Sequence, residues 1–286
     1  MALTPEQTIE QTISAAIERL ASTSDSAKLD AELLLASVLK QERTYLFTWH
    51  DRLVTEADDA LFQSLLSRRI KGEPIAYILG QQEFWDLTLK TDEHTLIPRA
   101  DTETLIEWAI ELAPSLPAAA RVIDLGTGTG AIALALAREH PEWQVEAVDL
   151  VPQAVSLAQH NAEVNGLSRV TIYQSSWFDN VEGKFDLIVS NPPYIDPEDE
   201  HLSQGDVRFE PKSALVANNQ GLADLETIAD LARSYLNPGA WLLMEHGYDQ
   251  LEQVQDILHK LGYDQVTTRF DLGGNPRITG GRFSHE

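Results

Sequence analysis

The chain has 286 residues, with 21 Lys and Arg against 45 Asp and Glu and a formal net charge of −24; at roughly 150 residues per domain, that length suits two domains. Such a field repels phosphate backbones and anionic lipid and argues against a generic nucleic-acid or membrane-surface binder. The absence of cysteine excludes disulfides, thiolate zinc sites, iron–sulfur clusters and a cysteine nucleophile. The opening Met1-Ala2-Leu3-Thr4-Pro5-Glu6 lacks a basic region followed by an apolar core, and the apolar run 131–137 is far short of the ~20 residues that cross a bilayer. A cytoplasmic protein is expected.

The first seventy or so residues read as helices. Thr4 and Gln7 make a capping box with Pro5 at the first helical position, and Ile9, Ile13, Ala16, Ile17 and Leu20 form an apolar stripe. Ser24 or Asp25 suits the start of a second helix with Leu29, Leu33, Ala36 and Leu39 inward. A third runs from about Thr55 through Leu61, Leu65 and Leu66 to Gly72-Glu73-Pro74. Between 81 and 96 the pattern turns to strands, with Leu87, Leu89 and Thr91 at a period of two, and predicts a hairpin joining the domains. Pro98-Arg99-Ala100-Asp101 opens another helix, with Asp101 as its cap and Glu103 in its first turn.

After Pro117 strands alternate with helices. Strands are predicted at 121–125, 145–149, 170–174, 185–190 and 241–245, which implies a mostly parallel sheet covered on both faces. Two later strands, 265–270 and 277–283, meet across Gly273-Gly274-Asn275 as an antiparallel pair.

The glycine loop Gly126-Thr127-Gly128-Thr129-Gly130 follows a predicted strand and precedes a helix, a setting in which backbone N–H groups approach a ligand closely. Gly126, Gly128 and Ala131 also fit the dinucleotide pattern G-x-G-x-x-A, so a nicotinamide cofactor remains open alongside other nucleosides. Asp149, at the end of the second strand of this region, suits a ribose diol or the start of the helix after Pro152.

Asn191-Pro192-Pro193-Tyr194 follows the strand at 185–190 and so belongs at the carboxyl edge of the same sheet, where open α/β sheets bind ligands. At about 5% usage per residue type such a tetrapeptide arises by chance in roughly one chain of this size in 500. Its residue types suit methyl transfer to a planar nitrogen. The Asn191 side-chain oxygen and the Pro192 carbonyl can accept the two N–H donors, and the Tyr194 ring can stack on the planar group. Positioning and electrostatics then carry the reaction without a strong base. In agreement, the eight histidines show no metal spacing and no G-x-S-x-G elbow is present.

Together these segments resemble the class I methyltransferase fold and, more narrowly, the peptide chain release factor glutamine methyltransferase family, PrmC or HemK. Besides the glycine loop and the tetrapeptide, the resemblance is carried by Gly72-Glu73-Pro74-Ile75-Ala76-Tyr77-Ile78-Leu79-Gly80, by Leu96-Ile97-Pro98-Arg99-Ala100-Asp101-Thr102-Glu103, and by Gly205-Asp206-Val207-Arg208-Phe209-Glu210-Pro211. It implies an α/β, Rossmann-like, seven-stranded, mostly parallel sheet preceded by a small helical bundle. The bundle, 1–78, would dock the release factor; 79–98 would be the linking hairpin and 99–286 the methyltransferase domain. S-adenosylmethionine would be the donor, S-adenosylhomocysteine the product, and the glutamine amide of the release factors' Gly-Gly-Gln motif the acceptor. By position, Gly126, Thr127, Gly128, Thr129 and Gly130 hold the donor's methionine end, Asp149 its ribose, and Trp177 packs near its adenine. Asn191, Pro192, Pro193 and Tyr194 grip the acceptor, with Asn191, Pro192 and Tyr194 as catalytic residues and Asn191 also beside the donor. A monomer with no metal and no direct nucleic-acid partner is implied. Two positions depart from the family pattern: Ser176 stands where an acid near the adenine is common, and Ala100 replaces a usual proline. Methylation of an adenine amine in nucleic acid, and an NAD-dependent oxidoreductase, are the alternative readings.

Overall fold

The computed structural model describes residues 6–284, which fall into two compact units, 6–80 with 203–209 and 81–202 with 210–284. In the smaller unit α1 (Ile9–Leu20) starts at a reciprocal cap: the Thr8 hydroxyl accepts from the Gln11 N–H at 3.2 Å, and the Thr8 N–H donates to Gln11 Oε1 at 3.0 Å. The capping pair expected at Thr4 and Gln7, with Pro5, involves positions outside the described residues. The unit continues through α2 (Ala27–Leu39), α3 (Arg43–Thr48), α4 (Glu56–Ile70), which Thr55 caps as expected, and α5 (Ile75–Leu79).

Its core gathers Ala16, Leu20, Leu34, Leu35, Phe62 and Leu66. Leu29, expected to face inward, is exposed, as is Leu61 of α4. The sequence of α2 is apolar nearly all round, so periodicity alone does not fix which side turns in. A polar contact does. Asp30 is buried where it accepts from Arg69 Nε at 2.6 Å and from the Ser24 and Ser26 hydroxyls at 2.6 and 2.9 Å, and this turns Ala31, Leu34, Leu35 and Val38 into the core. Arg69 also donates to Asp206, from the returning segment of the same unit, at 2.8 Å.

The larger unit opens with the antiparallel hairpin β1 (Gln81–Phe84) and β2 (Leu87–Lys90), whose Phe84, Leu87 and Leu89 are buried in its core. It continues as α6 (Glu103–Leu112), β3 (Arg121–Leu125), α7 (Ala131–Glu139), β4 (Gln144–Asp149), α8 (Pro152–Val164), β5 (Thr171–Gln174), β6 (Phe185–Ser190), α9 (Ala223–Ala232), β7 (Leu236–Glu245), α10 (Leu251–Lys260), β8 (Asp264–Phe270) and β9 (Pro276–Arg282). The seven strands after the hairpin form one sheet in the order β5-β4-β3-β6-β7-β9-β8, parallel except where β9 pairs with β7 and β8. This is the class I methyltransferase arrangement.

Alternate strand residues fill two cores. Val122, Leu187 and Leu243 pack with α6, α7 and α8 on one face; Ile123, Ile188 and Leu242 pack with α9 and α10 on the other. β7 begins five residues before the expected 241, because a register irregularity against β6 between Phe185 and Leu187 lets the chain pair through Asn237-Pro238-Gly239.

Removing one partner of a buried ion pair strands the other charge. Arg69→Met is therefore expected to lower the unfolding free energy of the helical unit by about 3 kcal/mol, read by chemical denaturation.

Candidate active site

Parallel pairing sets the ends of three strands level. Leu125 of β3 lies opposite Val148 of β4 and Ser190 of β6, and the Ser190 hydroxyl donates to the Leu125 carbonyl at 2.7 Å. The glycine loop, Asp149 and Asn191 thus emerge side by side where the strand order reverses, around a cavity of about 230 Å³.

The glycine loop turns at once from β3 into α7. Gly126 and Gly130 have φ of 73° and 87°, a region that a β-carbon disfavours. A β-carbon on Gly130 would also lie 3.2 Å from Leu134 and 3.3 Å from Ala158, so this glycine lets the loop press against α7 and α8. Gly126, Thr127, Gly128 and Thr129 line the cavity, while Gly130 sits behind them as the start of α7. Asp149 does two jobs at once. Its Oδ2 accepts from the Gly128 N–H and its Oδ1 from the Val151 N–H, each at 2.9 Å, tying the loop to β4 and opening the turn into α8 while the carboxylate still faces the cavity. Each oxygen keeps lone pairs for a further donor.

The Trp177 ring lies against Gly126 and serves two settings at once. It packs on the core beneath α9 and α10 and forms part of the cavity wall. Ser176 lines the same wall. Of the tetrapeptide, Asn191 and Pro193 line the cavity, Pro192 is buried, and Tyr194 packs against the core with its hydroxyl donating to Glu245 Oε1 at 3.2 Å.

Several residues at this edge were not singled out from the sequence. Glu245, the last residue of β7, is buried and accepts from the Thr102 hydroxyl at 2.7 Å as well as from Tyr194. Burial pushes its carboxyl up to about 7, against the opposing pull of Thr102 and Arg277. An acid that ends a strand on the edge already marked by Asp149 was the available signal. Glu210, from the Gly205–Pro211 segment, has a fully buried side chain that accepts from the Ile97 N–H at 3.2 Å and pairs with Arg99, fixing the Leu96–Arg99 wall of the cavity. Asp101 does not cap α6. It lies in a 3₁₀ turn, Ala100–Thr102, and sits 3.4 Å from Arg277, whereas Glu103 stands in the first turn of α6 as expected and also accepts from the Trp85 N–H at 3.0 Å.

Asp124, directly before the glycine loop, is wholly buried. Its Oδ2 accepts from the Thr127 hydroxyl at 2.6 Å and the Ala133 N–H at 3.3 Å, while Oδ1 has no partner among the described residues. Desolvation pushes its carboxyl up to about 7, and nearby Asp149, itself raised by burial, adds to the shift.

Comparison with known proteins agrees with this arrangement. The family model described as the PrmC N-terminal domain matches residues 11–80, and the methyltransferase small domain matches 108–210. The chain is 51% identical over 282 residues to the release factor glutamine methyltransferase of Vibrio cholerae, covering 98% of both chains. It is 48% identical over 261 residues to that of Escherichia coli, covering 91% of this chain and 94% of the relative. Among solved structures, a methyltransferase from Pyrococcus furiosus superposes with a TM-score of 0.53 at 21% identity, over 78% of this chain and all of that one. A 16S rRNA N2 G1207 methyltransferase from Thermus thermophilus, solved with AdoMet and guanosine, gives 0.51 at 18% identity, over 71% of this chain and 49% of that one. These two likenesses establish the fold.

The raised carboxyl of Asp124 has a stability consequence. A folded value near 7 against an ordinary 3.8 means that the group favours the fold while protonated and that this contribution is lost as pH rises from about 4 to 7. At 1.36 kcal/mol per unit the loss is on the order of 4 kcal/mol. Asp124→Asn is expected to be more stable than the parent at pH 8 and to lose that advantage near pH 4, measured by thermal unfolding across the range.

Proposed function

The chain belongs to the release factor glutamine methyltransferase family, and from that membership we propose that it transfers a methyl group from S-adenosylmethionine to the glutamine side-chain nitrogen of the Gly-Gly-Gln motif in peptide chain release factors. The observation that carries the reading is the level pairing of β3 and β6, which puts the glycine loop and Asn191 on one cavity.

The residues present suit the donor. The glycine loop offers backbone N–H groups at the start of α7 for its methionine end, Asp149 offers a carboxylate for ribose hydroxyls, and Trp177 offers an apolar wall for a base. Asp124 Oδ1 is an acceptor left over beneath the loop. When bound, S-adenosylmethionine supplies an electrophilic methyl group on a sulfonium.

The chain's own part is to hold the acceptor. The Asn191 Oδ1 and the Pro192 carbonyl accept the two amide hydrogens, which fixes the plane of the amide, while Pro193 and the Tyr194 ring limit its movement. A neutral amide nitrogen needs no strong base at the site, because it sheds a proton readily once alkylated. We assign release-factor docking to the helical unit, and place the enzyme in the cytoplasm as a monomer without metal or nucleic-acid partner.

S-adenosylmethionine at a hundredfold excess over its dissociation constant is expected to stabilise the protein by about 2.7 kcal/mol and raise its melting temperature. NAD is expected to leave it unchanged, and the reverse result overturns the reading. Asn191→Ala is expected to lower turnover by about 10²- to 10³-fold with donor binding retained. Mass spectrometry of a release factor incubated with enzyme and donor should find one added methyl on the glutamine; label in nucleic acid instead would move the acceptor assignment to adenine.

A further inference from the structure

Three hydrogen bonds through two side chains, Thr102 and Glu245, link the two ends of the tetrapeptide. Glu245 Oε1 accepts from the Tyr194 hydroxyl at 3.2 Å, and Oε2 accepts from the Thr102 hydroxyl at 2.7 Å. Thr102 Oγ1 in turn accepts from Asn191 Nδ2 at 3.3 Å. Thr102 and Glu245 are both buried, and the bond between them is buried with them. The Tyr194 main chain is held from the same corner of the sheet, where Gln250 Nε2 donates to its carbonyl at 3.0 Å.

The direction of these bonds matters more than their number. Both Glu245 oxygens accept here, so the carboxylate in its ionised form, which prevails above about pH 7, takes the single hydroxyl proton of Thr102 and leaves that oxygen only lone pairs to offer a neighbour. A neighbouring amide must then present its N–H₂ group. Asn191 therefore turns Nδ2 toward Thr102 and leaves Oδ1 free for another partner in the cavity that both residues line. Were the amide reversed, two acceptor oxygens would face each other with no hydrogen between them in a half-buried contact, which is unfavourable.

We propose that Thr102 and Glu245 are positioning residues that set the orientation of the Asn191 amide, so that its oxygen and not its nitrogen meets the acceptor. This inference rests on the function proposed above, since an outward oxygen is useful only to an acceptor that donates hydrogen. The asymmetry excludes an N–H₂ group from the place where the substrate's own N–H₂ must dock, because two donors there would repel.

The test compares Thr102→Val, which keeps the shape and deletes the hydroxyl, with Thr102→Ser, which keeps the hydroxyl. The Asn191 side-chain amide is followed in a ¹⁵N–¹H correlation spectrum, assigned by its disappearance in Asn191→Ala. Thr102→Val is expected to move the Asn191 resonances and to lower kcat on a release factor by about 10- to 100-fold, with the KM for that protein and the donor affinity changed by no more than about twofold. Thr102→Ser is expected to restore both the resonances and most of kcat. Adding Glu245→Gln to Thr102→Val is expected to cost little more, because the link it would break is already gone. Unmoved Asn191 resonances in Thr102→Val, or equal kcat for the Val and Ser variants, would overturn the inference. If the parent enzyme does not methylate a release factor glutamine at all, the proposed function fails on that result alone, while the spectra still decide the orientation of Asn191.

Discussion

The parallel register of β3 with β4 and β6 is the constraint on which the site depends. With Leu125 opposite Val148 on one side and Ser190 on the other, three loops leave the sheet at the same height. Because side chains alternate along a strand, a slip of one residue in either pair would exchange the two core faces as well as displace a loop. The hydrophobic alternation of Val122, Ile123, Leu187 and Ile188 therefore protects the geometry of the cavity along with the stability of the fold. Core packing and site assembly are one problem in this sheet, and they share one solution.

Buried carboxylates are the second theme. Asp124 and Glu245 are each held where burial raises the carboxyl toward neutrality, and Glu210 is buried against Arg99. Each is costly to bury, and each fixes something that apolar packing cannot. Asp124 holds the glycine loop through Thr127, Glu210 holds the Leu96–Arg99 wall, and Glu245 joins Tyr194 to Thr102. A hydrophobic residue in any of these places would pack more cheaply but would leave backbone N–H groups and hydroxyls without a directed acceptor. The edge of the sheet is thus held in part by two carboxyl groups, Asp124 and Glu245, whose burial reduces the stability of the chain near neutral pH.

The strands, the glycine loop, Asp149 and the tetrapeptide were legible in the sequence because each rests on a local rule: a period of two, a run of glycines, an acid or an Asn-Pro at a strand end. The rotation of α2 was not legible, since Leu29 and Leu34 are equally apolar and only the distant Arg69 selects Asp30 for burial. The same limit hid Thr102 and Glu245. They lie 143 residues apart and meet only because α6 packs beside β7. The helical reading of Asp101 failed for a related reason: its partner Arg277 is on β9, at the far end of the chain. What local chemistry dictates was readable, and what a long-range polar contact decides was not.

The charge around the cavity bears on the choice between the two planar nitrogens that suit the tetrapeptide. Among the described residues Arg99 is the only arginine on the lining and no lysine joins it; Glu210 already neutralises it, while Asp149 and Asp224 add negative charge. A nucleobase brings phosphates on either side of it, and these would meet carboxylates in a chain that carries −24 overall. A glutamine in a glycine-rich segment brings only neutral backbone groups and a side chain that reaches far from them. Its amide needs acceptors fixed in a plane, and an acceptor-only carboxylate acting through Thr102 on Asn191 is a way of supplying them without adding any cation to the rim.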